Sequence, residues 1–485
     1  MRMLPADLWN TVMSDFATLT QQAATLKSAG RLDEAIDLYR RALAVAPPTG
    51  VAEHNLAAAL GDAGDHTAAE QYCRDAFARG LDAPETWLVR ARSLVELRRF
   101  EAAEKAFRRA LRRRPEMLDA HYEFAQLVWM RTGSRNAALR AVQEDIQRLP
   151  QSPGLHLVRA RILQYTGDLD GACEALERLA AQWPGELQLL LPAAHVATLA
   201  GRSDTALAHA RRAVSLAPDN GDALAALAYA LLASGHAGEA AQVAERLHQL
   251  KPRDQQAIAL CATAWRLLGD VRHQELNDYE GVVRGYPIQP PADWPDLDSY
   301  VSELGQALLK VHPYRSHPFG QSVRHGSQVA NIARQPHPAI RAFPQAVEPV
   351  IARHLAFLGA GDDPLRSRNT GSWRIQGMWS VRLGTGGFHA SHVHPEGWLS
   401  SACHIVLPGN CSGEDKAHAG WLQFGEPGMP TLPSLPAEHF VQPRPGHLVL
   451  FPSYLWHGTV PFQDTSPRVT IAFDIIPANE AAGGS

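Results

Sequence analysis

Apolar and small residues recur at helical spacing along the first half of the chain, and that pattern itself repeats. In Glu34-Ala35-Ile36-Asp37-Leu38-Tyr39-Arg40-Arg41-Ala42-Leu43 the apolar positions fall three and four apart, which gathers them on one side of an α-helix. A turn signal recurs at Gly30-Arg31, Gly64-Asp65, Arg98-Arg99, Gly133-Ser134, Gly167-Asp168, Gly201-Arg202, Gly235-His236 and Gly269-Asp270. The steps are 34 residues, with one of 35 between Arg98 and Gly133. Prolines keep the same beat at Pro47, Pro115, Pro150, Pro184, Pro218 and Pro252. Lacking an amide and clashing with the preceding turn, proline stops a helix there. Residues 1–275 are thus expected to form about seven helix–turn–helix units whose stacking buries a continuous core. Alanines such as Ala57, Ala59, Ala226 and Ala228 let the paired helices approach closely.

The period ends after Gly269, and Pro287-Ile288-Gln289-Pro290-Pro291 marks a boundary. Residues 276–315 read as a linker and helical lead-in, with one helix over Leu297–Val311; Ala339–Leu358 contains another. From Trp373 onward short apolar runs alternate with Gly and Pro: Trp379–Leu383, Ala402–Leu407, Gly420–Phe424, His447–Phe451 and Val469–Ile476. Short strands at such spacing predict a β sandwich or jelly roll over residues 316–480.

At 485 residues the chain exceeds one ordinary domain, and 45% apolar with 20% charged residues suits a soluble protein. A net charge of −4 gives no support for a nucleic-acid partner. Five scattered cysteines without a C-x-x-C pair argue against a disulfide framework and for a reducing compartment. The N-terminal MRMLPADLWNTVMSDF lacks the apolar core of a signal peptide, and no apolar run has the length of a membrane span. A cytoplasmic protein without a membrane partner is the expectation, its oligomeric state left open.

The chemistry-bearing residues cluster late. In Phe388-His389-Ala390-Ser391-His392-Val393-His394-Pro395, residues i and i+2 of a strand share a side, so His392 and His394 can aim two imidazoles at one point. His457, in Phe451-Pro452-Ser453-Tyr454-Leu455-Trp456-His457, can complete a three-nitrogen face. This is the layout of a mononuclear iron site with a histidine where a carboxylate usually sits. Glu396 is the alternative third ligand if Pro395 bends the strand. Arg468 and Thr470, again two apart, can bind a carboxylate through the guanidinium fork and a hydroxyl. His389, on the opposite parity from His392, is a second-layer or substrate-side residue.

Two resemblances follow from these residues. The 34-residue unit with its small contact residues and closing proline resembles the tetratricopeptide repeat. The stretches Phe388–Pro395, Pro443–His457 and Arg468–Phe473, with Gln321–Gln328 upstream, resemble a 2-oxoglutarate/Fe(II) oxygenase family often found fused to such repeats. The resemblance implies an all-α superhelix followed by a double-stranded β-helix (jelly-roll, cupin-like) domain with flanking helices. It implies Fe(II), 2-oxoglutarate and O2 as cofactor and co-substrates, with His392, His394 and His457 on the metal and Arg468 and Thr470 on 2-oxoglutarate. Arg324, Gln328, Trp379, Arg382 and His389 are then candidate substrate contacts. The chain departs from the family at Ser400-Ser401-Ala402-Cys403-His404, where a Tyr-Tyr pair is usual, so His404 is expected to take over a co-substrate contact. Asp474 stands where Asn is common.

The expected activity is hydroxylation of an unactivated carbon, on an amino-acid side chain in a peptide or protein recruited by the repeat groove, where Arg90, Arg92, Arg159, Arg161 and Tyr229 are candidate groove residues or, equally, contacts within the solenoid. Three alternatives stand beside it: a small-molecule or free amino-acid hydroxylase using the repeats for assembly, a three-histidine iron dioxygenase that does not use 2-oxoglutarate, and a non-catalytic binding scaffold.

Overall fold

A computed structural model of the chain describes residues 6–411 and 418–480. Residues 1–5, part of the stretch read for a signal peptide, lie outside the described residues. The chain forms two compact units, Met1–Val128 with Ser134–Ile162, and Trp129–Gly133 with Leu163–Ser485.

Among the described residues fifteen helices run from Ala6–Ser28 to Gln255–Leu268 in the expected pairs. They stop where the prolines require: Arg135–Arg148 before Pro150, Leu169–Gln182 before Pro184, Ser203–Leu216 before Pro218. The turn glycines Gly64 and Gly167 have φ of 88° and 85°, a left-handed backbone that a side chain disfavours by roughly 1 kcal/mol. At the equivalent place Arg98 adopts the same region, with φ 56°. In the first unit Ala35, Leu56, Ala59 and Ala69 are fully buried and pack with Ile36, Tyr39 and Leu60. Arg90 and Arg92 are ion-paired between helices, to Glu70 at 3.0 Å and Glu123 at 2.5 Å. In the second unit the Tyr229 hydroxyl accepts from Gln256 Nε2 at 2.5 Å.

Among the described residues the second unit continues into nine strands: β1 Arg284–Pro287, β2 Val323–Ala330, β3 Trp373–His389, β4 Leu399–Val406, β5 Leu422–Phe424, β6 His439–Val441, β7 His447–Pro452, β8 His457–Thr459 and β9 Arg468–Pro477. They form a six-stranded sheet in the order β1-β7-β4-β9-β3-β2 and a three-stranded sheet in the order β6-β5-β8, antiparallel throughout. This is a jelly-roll-like arrangement of two sheets. The helices Leu297–Val311 and Phe343–Leu358 bury Leu304, Leu308, Val347 and Ile351 in one core with Val469, Ile471, Phe473 and Ile475 of β9.

Residues 276–315 do more than lead in. They supply β1, which pairs with β7 at the sheet edge, and the first of those two core helices. The later repeats also belong to the same compact unit as the sheets, because Ile258 of the last repeat helix is buried in the sheet domain's core. The division near residue 162 therefore differs from the composition boundary near 275. All five cysteines are buried. Among the described residues no helix is long and apolar enough to cross a membrane.

Candidate functional site

Strand β9 shows how the site is made. Its odd-numbered residues Val469, Ile471, Phe473 and Ile475 pack into the core, and its even-numbered residues Arg468, Thr470, Ala472 and Asp474 line a cavity of about 1340 Å³. One strand with period-two alternation thus seals the core with one face and furnishes the site with the other.

His392, His394 and His457 line the same cavity, and one nitrogen of each lies within 4.8 Å of the others. The expected strand through the first two is reduced to a single bridge: β3 ends at His389, and His392 pairs alone with His457. The imidazoles converge nevertheless. His392 Nδ1 donates to Ala390 O and His457 Nδ1 to Leu455 O, each at 2.9 Å, and His394 Nδ1 donates to Asp474 Oδ2 at 2.7 Å. With Nδ1 donating on all three rings, Nε2 carries the lone pair on each, the state a metal requires, and on His392 the Ser322 hydroxyl lies 3.3 Å from that nitrogen. Burial, and then the neighbouring histidines, hold His392 and His457 well below the ordinary imidazole value, so both are neutral at neutral pH. Glu396, the alternative ligand, lines the cavity but is exposed and is not among the converging groups.

Arg468 is 2% exposed, and among the described residues its Nε and Nη1 have no hydrogen-bond partner. Its Nη2 donates to His404 Nδ1 at 3.2 Å. Burial lowers the guanidinium to about 10, which leaves it charged at neutral pH. Thr470 lies beside it on the cavity face, paired across the sheet with His404. His404 itself is fully buried behind Arg468 and does not line the cavity, so its expected contact with a co-substrate is replaced by one with the arginine.

The candidate substrate residues divide. Trp379 stacks on His394, ring centroids 5.7 Å apart at 29°. Arg324 and Gln328 line the cavity, Arg324 Nη1 donating to Gln321 O at 2.7 Å and Gln328 Nε2 to Gln321 Oε1 at 3.1 Å. His389 is brought to the ligand side because the strand ends there: its ring lies 6.1 Å from His392, and Ser322 Oγ bridges His389 Nδ1 at 3.0 Å and His392 Nε2 at 3.3 Å. Burial drives His389 down to about 3. Arg382 is exposed and falls on the strand face opposite Trp379, away from the cavity.

Sequence spacing did not single out the cavity's other wall. Trp129, Tyr165, His195 and Leu199, all from repeat helices of the second unit, line the same space. The last repeat helix also grips both ligand-bearing segments. Gln255 N donates to the carbonyl of Pro395, next to His394, at 3.0 Å. Trp456 Nε1, next to His457, donates to Thr263 Oγ1 at 2.9 Å.

Residues 377–474 match the family model described as Putative 2OG-Fe(II) oxygenase, and residues 88–156 and 157–220 match that described as Tetratricopeptide repeat. No curated protein matches the chain. Among solved structures it is similar to a tetratricopeptide repeat protein from Parabacteroides merdae, at 17% identity over 52% of this chain and 99% of that one, with a TM-score of 0.37. It is similar to the C-terminal part of a TPR repeat-containing protein from Cytophaga hutchinsonii, at 15% identity over 50% and 98% of the two chains, TM-score 0.36. The first TPR of Spaghetti (RPAP3), bound to an HSP90 peptide, is 24% identical over 24% and 90%, TM-score 0.23. With the repeats matched over 88–220 and the three histidines inside the segment matched over 377–474, the chain joins tetratricopeptide repeats to a domain of the putative 2OG-Fe(II) oxygenase family.

Proposed function

We propose that this protein is an Fe(II)/2-oxoglutarate-dependent dioxygenase that hydroxylates an unactivated carbon, on an amino-acid side chain of a peptide or protein. The observation that carries the reading is Arg468. A buried cation with two unsatisfied donors is costly to keep, and a carboxylate ligand relieves that cost. It lines the same cavity as the three converging imidazoles, so a keto acid can meet a metal with one end and the guanidinium with the other. His392, His394 and His457 would hold Fe(II) on one face, and Arg468 with Thr470 would hold the distal carboxylate of 2-oxoglutarate.

When bound, iron and 2-oxoglutarate supply the oxygen chemistry, in which the keto acid is decarboxylated to succinate and the substrate carbon is hydroxylated. The chain's share is orientation and exclusion of water. Trp379 and His389 wall the metal side, and the Nδ1 hydrogen bonds fix each ring for coordination. Tyr165 and His195 face the cavity from the repeats, which supports a substrate laid between repeat helices and the β domain. A small-molecule hydroxylase using the repeats only for assembly fits less well with repeat side chains in the cavity wall. A three-histidine dioxygenase without 2-oxoglutarate leaves Arg468 unexplained.

The test is anaerobic titration of Fe(II) and 2-oxoglutarate into the purified protein, following the weak visible charge-transfer band of the chelate. The band is expected, and is expected to vanish in Arg468→Ala and His394→Ala. Iron binding with no band in the parent protein overturns the reading.

A further inference from the structure

We infer that Asp474 is the charge partner of the metal centre: the carboxylate that a mixed histidine–carboxylate site keeps on the metal is held here one imidazole ring away, behind His394. The inference rests on reading the three histidines as an iron site, and it identifies a positioning residue that the ligand set alone does not contain.

The three imidazoles are not equivalent. His392 and His457 donate Nδ1–H to main-chain carbonyls, those of Ala390 and Leu455. His394, the one that occupies the usual carboxylate place, donates to a carboxylate, Asp474 Oδ2, at 2.7 Å. The second oxygen, Oδ1, accepts from Ser400 Oγ at 2.8 Å, and Ser400 Oγ lies 2.9 Å from Ser453 Oγ. The main-chain carbonyl of Ser453 in turn accepts from His394 N at 3.1 Å. Both serines are fully buried. The carboxylate is therefore gripped at both oxygens by a closed ring of His394, Asp474, Ser400 and Ser453, which fixes the plane of the imidazole.

Charge explains why an aspartate is there. Among the described residues Asp474 has no Arg or Lys partner, and the basic group it meets is the His394 imidazole. A carboxylate on the far nitrogen makes an imidazole a stronger donor to a cation. Three neutral ligands alone would leave the iron one charge more positive than the usual two-histidine, one-carboxylate site; Asp474 returns that charge at one ring's remove. An uncharged acceptor would hold the ring equally well, so orientation alone does not require an acid.

The experiment uses Fe(II) alone as the probe, in competition with a chromogenic chelator under anaerobic conditions, on the full chain and on Asp474→Asn. The amide oxygen keeps an acceptor for His394 and the charge is removed, while the amide NH2 faces Ser400 Oγ, which turns from donor to acceptor. Fe(II) affinity is expected to fall roughly 10–100-fold. The unfolding midpoint of the metal-free protein should not move, and 2-oxoglutarate affinity at saturating Fe(II) should be equal or tighter, because the centre is then more positive. Structural damage would weaken all three together. Ser400→Ala, which keeps the charge and frees one oxygen, is expected to change Fe(II) affinity by no more than about threefold, well short of a lost ligand partner. Asp474→Ser gives the comparison with a second uncharged side chain. Fe(II) affinity within twofold of the parent in both uncharged variants, or an equal loss in Ser400→Ala, overturns the inference. A parent that binds Fe(II) but shows no band with 2-oxoglutarate sinks the oxygenase reading instead and leaves the Asp474 comparison readable.

Discussion

His392 and His457 meet across a single antiparallel bridge, each amide donating to the other's carbonyl at 3.0 Å. Two ligands far apart in the chain are thus brought into register by main-chain hydrogen bonds, and the bridge itself uses no side-chain atom of either. The bridge does not need the imidazoles to form. His457→Ala is accordingly expected to fold, with its urea midpoint near that of the parent, and to lose at least about 100-fold in Fe(II) affinity, since a three-ligand face is broken. Equal Fe(II) affinity in the variant would refute the three-histidine site.

Arg468 should trade stability for binding. Its buried charge has two donors unmet in the ligand-free protein, and replacing such a group by an apolar side chain of similar length is often stabilising by about 1–3 kcal/mol. Arg468→Met should therefore raise the unfolding midpoint of the ligand-free protein while abolishing the 2-oxoglutarate band. A destabilised variant that still shows the band would contradict both halves of this prediction.

The last repeat should matter to the metal as well as to the fold. In Thr263→Val the indole Nε1 of Trp456 loses its acceptor inside the protein, at a cost of about 1–3 kcal/mol. The urea midpoint is expected to fall, and Fe(II) affinity to weaken severalfold because Trp456 directly precedes His457. If neither moves, the repeat helix is not bracing the site.

Acid should unfold the metal-free protein through its buried histidines. His354 is fully buried with its Nδ1 3.2 Å from the Tyr286 hydroxyl, and desolvation lowers it to about 4; His317 is lowered likewise to about 4 and His389 to about 3. An unfolded histidine binds a proton below about 6.5, whereas these stay neutral in the folded state. Below that pH the unfolded state takes up more protons, so stability present above about pH 6.5 drains away as pH falls toward 4. One group displaced this far contributes on the order of 3 kcal/mol. Urea midpoints at pH 7.5 and pH 5 should show the drop, and His354→Met should reduce it; a flat profile would mean these rings are not held neutral.

Much of the architecture was legible in local spacing. The 34-residue beat located the turns and helix ends because backbone conformation at a glycine or before a proline depends on immediate neighbours. The helix at Leu297–Val311 appears with the expected bounds, and the shared face of Arg468 and Thr470 follows from strand parity. The same parity extended four residues further along β9 reaches Asp474, so that part of the site was within reach of the sequence. Strand parity alone sets His389 on the face opposite His392, but parity assumes an unbroken strand; β3 ends at His389, and its ring lies beside His392.

The sequence by itself determined which residues share a face of one element, the apolar stripe of each repeat helix and the two sides of β9, and it singled out the three histidines and the arginine as chemistry-bearing groups. Only the tertiary structure decided which elements face one another. It set Asp474 against His394, put His404 behind Arg468 rather than in the cavity, turned Arg382 outward, and made Tyr165 and His195 of the repeats a wall of the site. The physical reason is that periodicity records how a segment divides its apolar and polar residues, a local property. The partner against which an apolar face is buried is chosen by the packing of the whole core, and no single segment carries that information.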